Sequence, residues 1–124
     1  MLNTKAEIEE WLIEVGMTNY KIKDYLSVDV DESVEISFLD LKNIPVQFGQ
    51  VKGSFDCSYN DLINLKGSPI KIGDDFDCSN NNLTSLESSP NEITGNFMCY
   101  RNLLLTFEGG PEFVKGDFNC ESNN

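Results

Sequence analysis

Four cysteines, Cys57, Cys78, Cys99 and Cys120, recur at intervals of 21 residues, and other residue types keep the same step. Phe55, Phe76, Phe97 and Phe118 are in phase with them, as are Asn60, Asn81, Asn102 and Asn123. The columns Leu62, Leu83, Leu104 and Leu65, Leu86, Phe107 follow. Pro69, Pro90, Pro111 and Ile72, Ile93, Val114 complete the unit, with no gap from residue 53 onward. A fixed period of this length is the signature of a solenoid, in which each unit buries its apolar face by stacking on its neighbours.

The unit reads F-x-C-x-x-N-x-L-x-x-L-x-x-x-P-x-x-I. Phe and Cys two positions apart share one face of a short strand, and the residue between them points the other way. The Asn that follows carries a donor and an acceptor. Repeated at every coil, it can satisfy backbone groups left open where the chain turns. The two Leu and the Ile then bring the chain back with inward side chains, and Pro suits a turn that needs no N–H. One period upstream, Val34, Ile36, Leu41, Ile44 and Val51 match the apolar columns, with Leu39 in place of the Asn. Residues 34–124 therefore read as one degenerate coil, three full coils and a final strand.

Residues 1–33 read as a capping segment, which the first coil of a solenoid needs. Thr4 and Glu7 form a capping-box pattern. Ile8, Trp11, Leu12 and Val15 lie on one helical face, so a helix is expected over 5–15, with Gly16 as its stop and Trp11 as a core anchor. Ile22, Val28, Val30, Val34 and Ile36 then alternate with polar residues, as two or three short strands would.

The run Phe76-x-Cys78-x-x-Asn81-x-Leu83-x-x-Leu86 resembles the leucine-rich repeat consensus, and its short period resembles the short bacterial class. The phrases around Cys57 and Cys78 are similar to small leucine-rich proteins of bacteriophages. The resemblance covers residues 34–124. It implies an α/β solenoid with a parallel sheet on a concave face, where such proteins bind partners. The ubiquitin-ligase domain of related pathogen effectors finds no room here and is not expected.

Charge narrows the partner. The chain has 124 residues with 9 basic and 21 acidic side chains, a formal net charge of -12 and no histidine. Such a balance disfavours direct binding to nucleic acid and to anionic membranes, and it favours a protein with a basic surface. The alternative reading of the charge is solubility. No apolar run reaches membrane-span length, and acids interrupt the first residues, so neither a span nor a signal peptide is expected. The evenly spaced cysteines form a line along the stack, unsuited to a tetrahedral metal site and poorly placed for disulfides. They read as reduced core residues, and hence a cytoplasmic location is expected, in the host cell if the chain is phage-encoded.

The outward columns supply the candidate site. Between Phe and Cys lie Glu35, Asp56, Asp77, Met98 and Asn119, a row that opens with three carboxylates. Asp75 stands in the column just before Phe, Tyr100 in the column just after Cys, and Tyr59 and Arg101 one step further. Like charges side by side weaken a sheet, so the carboxylate row reads as a place for Lys or Arg of a partner. A solvated, salt-screened face is the alternative. Met98, Tyr100 and Arg101 are of types enriched in interface cores. Asp74, Asp75 and Asp77 match no calcium loop. No cofactor is expected, and an enzyme is not, since paired carboxylates on an open sheet lack a pocket.

The resemblance, charge and size together imply a non-enzymatic, acidic, phage-type inhibitor. It would occupy a basic surface of a host nucleic-acid-handling defence enzyme, as anti-CRISPR proteins do, with imitation of a phosphate row as one route. The alternative is an assembly protein, a homodimer or larger oligomer formed through the C-terminal edge, because no polar cap follows Asn123.

Overall fold

The computed structural model describes residues 1–123. Its first element is helix α1, Lys5–Glu14. The Thr4 hydroxyl accepts a hydrogen bond from the Glu7 N–H at 3.2 Å, as the capping box requires. The helix ends one residue before the expected Val15, which is instead its C-cap, and Gly16 follows at φ 87, a left-handed conformation that glycine takes without penalty. Ile8 and Leu12 are buried. Trp11 is half-buried, with its ring centroid 6.5 Å from that of Phe48, so it anchors the helix to the coils.

Three short strands follow, as the alternation predicts: β1 (Tyr20–Ile22), β2 (Ser27–Val30) and β3 (Val34–Glu35). β1 and β2 form an antiparallel pair. The Glu32 carboxylate accepts hydrogen bonds from the N–H groups of Thr18 and Asn19, each at 3.0 Å. These bonds hold its pKa below the ordinary glutamate value and tie the helix exit to the β2–β3 turn.

From there the chain winds as a β-solenoid. On one side β3, β5 (Phe55–Asp56), β7 (Phe76–Asp77), β9 (Phe97–Met98) and β11 (Phe118–Asn119) form a parallel sheet. On the other, β1 and β2 join β4 (Gln47–Val51), β6 (Lys71–Ile72), β8 (Glu92–Ile93) and β10 (Phe113–Val114). Equivalent residues pair directly: Phe55 with Phe76, Phe76 with Phe97, Ile72 with Ile93. β2 lies in the capping segment yet pairs in parallel with β4, Val30 opposite Val51, so the cap and the coils share a sheet.

The expected α/β character is confined to α1, which lies outside the coils. Where helices would return the chain, each coil carries a second short strand. Only a few residues separate Pro from the next Gly, about one turn at ~3.6 residues per turn, which leaves no room for a helix there.

The interior follows the sequence columns. Phe48, Phe55, Phe76 and Phe97 are fully buried, as are Leu62, Leu65, Leu83 and Leu86. The repeating phenyl rings stack with centroids 5.7, 5.5 and 4.9 Å apart from Phe55 to Phe118. Burying one such side chain contributes roughly 1.5–3 kcal/mol, so stacking is the main source of stability.

The asparagines do what the sequence assigns them. Asn81 donates through Nδ2 to the carbonyls of Cys57, Cys78 and Ser79, each at 3.1 Å, and its Oδ1 accepts the Leu62 N–H at 3.0 Å. Asn60 and Asn102 repeat the pattern one coil away on either side. Each amide thus ties its own coil to the one before.

Candidate functional site

The strands of the first sheet are two residues long, so each presents one side chain inward and one outward. Their register sets Glu35 beside Asp56, Asp56 beside Asp77, and Asp77 beside Met98, with Asn119 next. Neighbouring strands are ~4.8 Å apart, and three carboxylates therefore stand in line.

The row is held by the serine two residues after each carboxylate. The Asp56 Oδ1 accepts the Ser58 hydroxyl at 2.6 Å and the Ser58 N–H at 2.9 Å. The Asp77 Oδ1 accepts the same pair from Ser79 at 2.6 and 2.9 Å. The Ser37 hydroxyl donates to Glu35. Ser58 and Ser79 share the face of the aspartates they bond, as strand alternation predicts, but are buried rather than exposed. Fold stability therefore explains one oxygen of each aspartate, a role that residue spacing alone did not reveal. Among the described residues the Oδ2 atoms have no hydrogen-bond donor.

Desolvation raises the Asp77 pKa above the ordinary aspartate value. The Ser79 hydrogen bonds oppose this, and the negative charges of Asp56 and Glu35 add to it. The outcome is a carboxylate whose ionised form lacks a compensating cation.

Asp75 belongs elsewhere. Its Oδ1 accepts the Asn96 N–H at 2.8 Å, while its own N–H donates to the Ser54 hydroxyl at 3.1 Å. Asn96 does the same for the Asp117 N–H at 2.8 Å, and Ser33 for the Ser54 N–H at 2.9 Å. This is a second side-chain ladder along the stack, and it gives Asp75 a place in the fold apart from the outward row.

Tyr59 and Arg101 lie in a third row, at the corner after the strand, with Phe38, Asn80 and Ser122. All five have positive φ, between 53 and 57. That conformation suits Asn and disfavours most other L-residues, by about 1–2 kcal/mol. Phe38 and Tyr59 nonetheless occupy it in adjacent coils. Their rings stack with centroids 4.5 Å apart and planes 9° from parallel, and they are 71% and 48% exposed. The sequence shows both aromatics in one column, and nothing in their spacing reveals that the rings meet outside the core. Met98 and Tyr100 are half-buried, and Arg101 is exposed.

The four cysteines divide into two pairs. Cys57 and Cys78 are free and buried, and burial pushes both thiols well above the ordinary range. The sulfurs of Cys99 and Cys120 meet, with Cα atoms 4.5 Å apart.

Among the described residues no group of three or more Cys, Asp or Glu is arranged to hold a metal ion, and no helix is long and apolar enough to cross a membrane. Comparison with family models, curated proteins and solved structures finds no match for the chain.

Proposed function

We propose that the protein is a non-enzymatic binding module of the leucine-rich repeat type, whose acidic sheet face receives a basic surface of another protein. The observation that carries this reading is the in-register row Glu35, Asp56 and Asp77. Serines tether one oxygen of each side chain, which limits the entropy lost on binding, and the free oxygens of the two aspartates remain available. A partner's Lys or Arg would relieve the mutual repulsion and supply the cation that the row lacks. With a net charge of -12, the protein would also attract a basic target over distance. The target class that fits is a nucleic-acid-handling enzyme of host defence, whose phosphate-binding groove is basic, and the protein would act as an inhibitor in a phage setting.

The test is capture from bacterial lysate with wild type and with Asp56→Asn/Asp77→Asn. Asn keeps the Oδ1 acceptor for Ser58 and Ser79, so the charge is removed without the turn. A basic nucleic-acid enzyme held by wild type and released by the variant is the expected result. Retention by both would move the site off this row. An empty capture would reject the reading.

A second reading is self-association through β10 and β11. It is favoured by Leu105, Phe107 and Phe113, which are exposed at 84%, 54% and 52% in the last described coil. Light scattering at rising concentration tests it. Dimer mass that Phe113→Asp abolishes would support it, and a constant single-chain mass would exclude it.

A further inference from the structure

The exposed pair Phe38 and Tyr59 is the feature that the core leaves unexplained. Neither ring packs into the interior column, which Phe55 and Phe76 fill. Asn80 occupies the equivalent position in the following coil at φ 56, so the corner does not require an aromatic residue. The charged residues of segments 33–41 and 53–65 are Glu35, Asp40, Asp56 and Asp61, while Lys42, Lys52 and Lys66 flank those segments and Arg101 stands two coils further along the same row. An uncharged aromatic or aliphatic partner would gain nothing from those carboxylates, and a phosphate-bearing one would be repelled.

The geometry points to an arginine-selective contact: a guanidinium on an extended segment of a basic partner lies on the Phe38–Tyr59 stack and pairs with the carboxylates beside it. Arginine fits where lysine does not. Its planar, weakly hydrated head can stack on a ring and still present N–H groups sideways to a carboxylate. Lysine offers a compact, strongly hydrated charge that satisfies the acids and leaves the rings uncovered. The inference rests on the proposed acidic docking face and adds to it which side chain is recognised and at which coils.

Three peptides of equal length test it by calorimetry: one rich in arginine, one with every arginine replaced by lysine, and one uncharged. The arginine peptide should bind about tenfold tighter than the lysine peptide. Tyr59→Asn and Phe38→Asn should each erase that preference and leave the lysine affinity unchanged. Both variants should melt no lower than wild type, because Asn suits the left-handed corner. Asp56→Asn should weaken both cationic peptides. Equal binding of the two cationic peptides, or a preference that survives Tyr59→Asn, would overturn the inference while the acidic-face reading stood. A clear loss of thermal stability in Tyr59→Asn would also overturn it, by showing the stack to be a part of the fold. Failure of both cationic peptides to bind would remove the acidic face itself, and tighter binding of the uncharged peptide would do the same.

Discussion

At the scale of single residues, the same side chain often serves the fold and faces the solvent. Asp77 is the clearest case, because its Oδ1 closes a turn with Ser79 while burial and the neighbouring acids oppose its ionisation. Its folded pKa is raised, so between the unfolded and folded values the native state holds more protons. The stability cost is absent below the unfolded value and complete above the folded one. Asp77→Asn should therefore raise the melting temperature at pH 7, and the gain should shrink as pH falls through the carboxylate range. A melting series from pH 3 to pH 8 checks this, and a gain independent of pH would contradict it. Asn81 is the opposite case, with every polar atom used and 6% of its surface exposed. Asn81→Ala leaves the Leu62 N–H and the Cys57, Cys78 and Ser79 carbonyls without this partner. It should cost about 2 kcal/mol or more in urea unfolding. Asn123→Ala, at the half-buried end of the same ladder, should cost less.

At the scale of the coil, the spacing between turns sets which residues are admissible. Gly95 precedes the second ladder, and a Cβ there would lie 2.3 Å from the Asp75 Oδ1 and 2.7 Å from the Asp74 carbonyl carbon. Gly95→Ala should destabilise the protein by about 1–3 kcal/mol, the usual cost of overpacking. Adding Asp75→Ala should recover only part of the loss, because the backbone contact remains. Full recovery in the double variant, measured by urea unfolding, would show that the Asp75 side chain is the whole cause. The Phe, Asn and Leu columns were legible in the sequence at this scale because their residues are buried and repeat. The Ser58 and Asp56 turn was not. Its hydrogen bonds depend on the rotamers of two residues on one face, and periodicity does not report a rotamer.

At the scale of the whole molecule, the coils form a one-dimensional stack in which each contacts its neighbours, and α1 with β1 covers the first. Stability should then be close to a sum of coil and interface contributions. Deleting residues 64–84, a whole repeat of 21 residues, rejoins columns in phase and should leave a cooperatively folding protein with a lower melting temperature. Deleting one residue fewer shifts every later side chain out of register, and that protein should not fold. Circular dichroism and thermal melts of the two deletions decide the matter, and equal behaviour would refute the stacked-repeat account.

The amino-acid order by itself determined the period, the inward columns, the asparagine ladder, the capped helix and the line of Glu35, Asp56 and Asp77. The helix follows from its capping box and helical periodicity, and the rest from repetition and from alternation along a strand. Only the tertiary structure decided the second sheet on the return side and the stack of Phe38 on Tyr59. Each of those depends on how closely and at what angle successive coils pass one another. That is a distance between residues far apart in the chain, set by packing rather than by any local pattern.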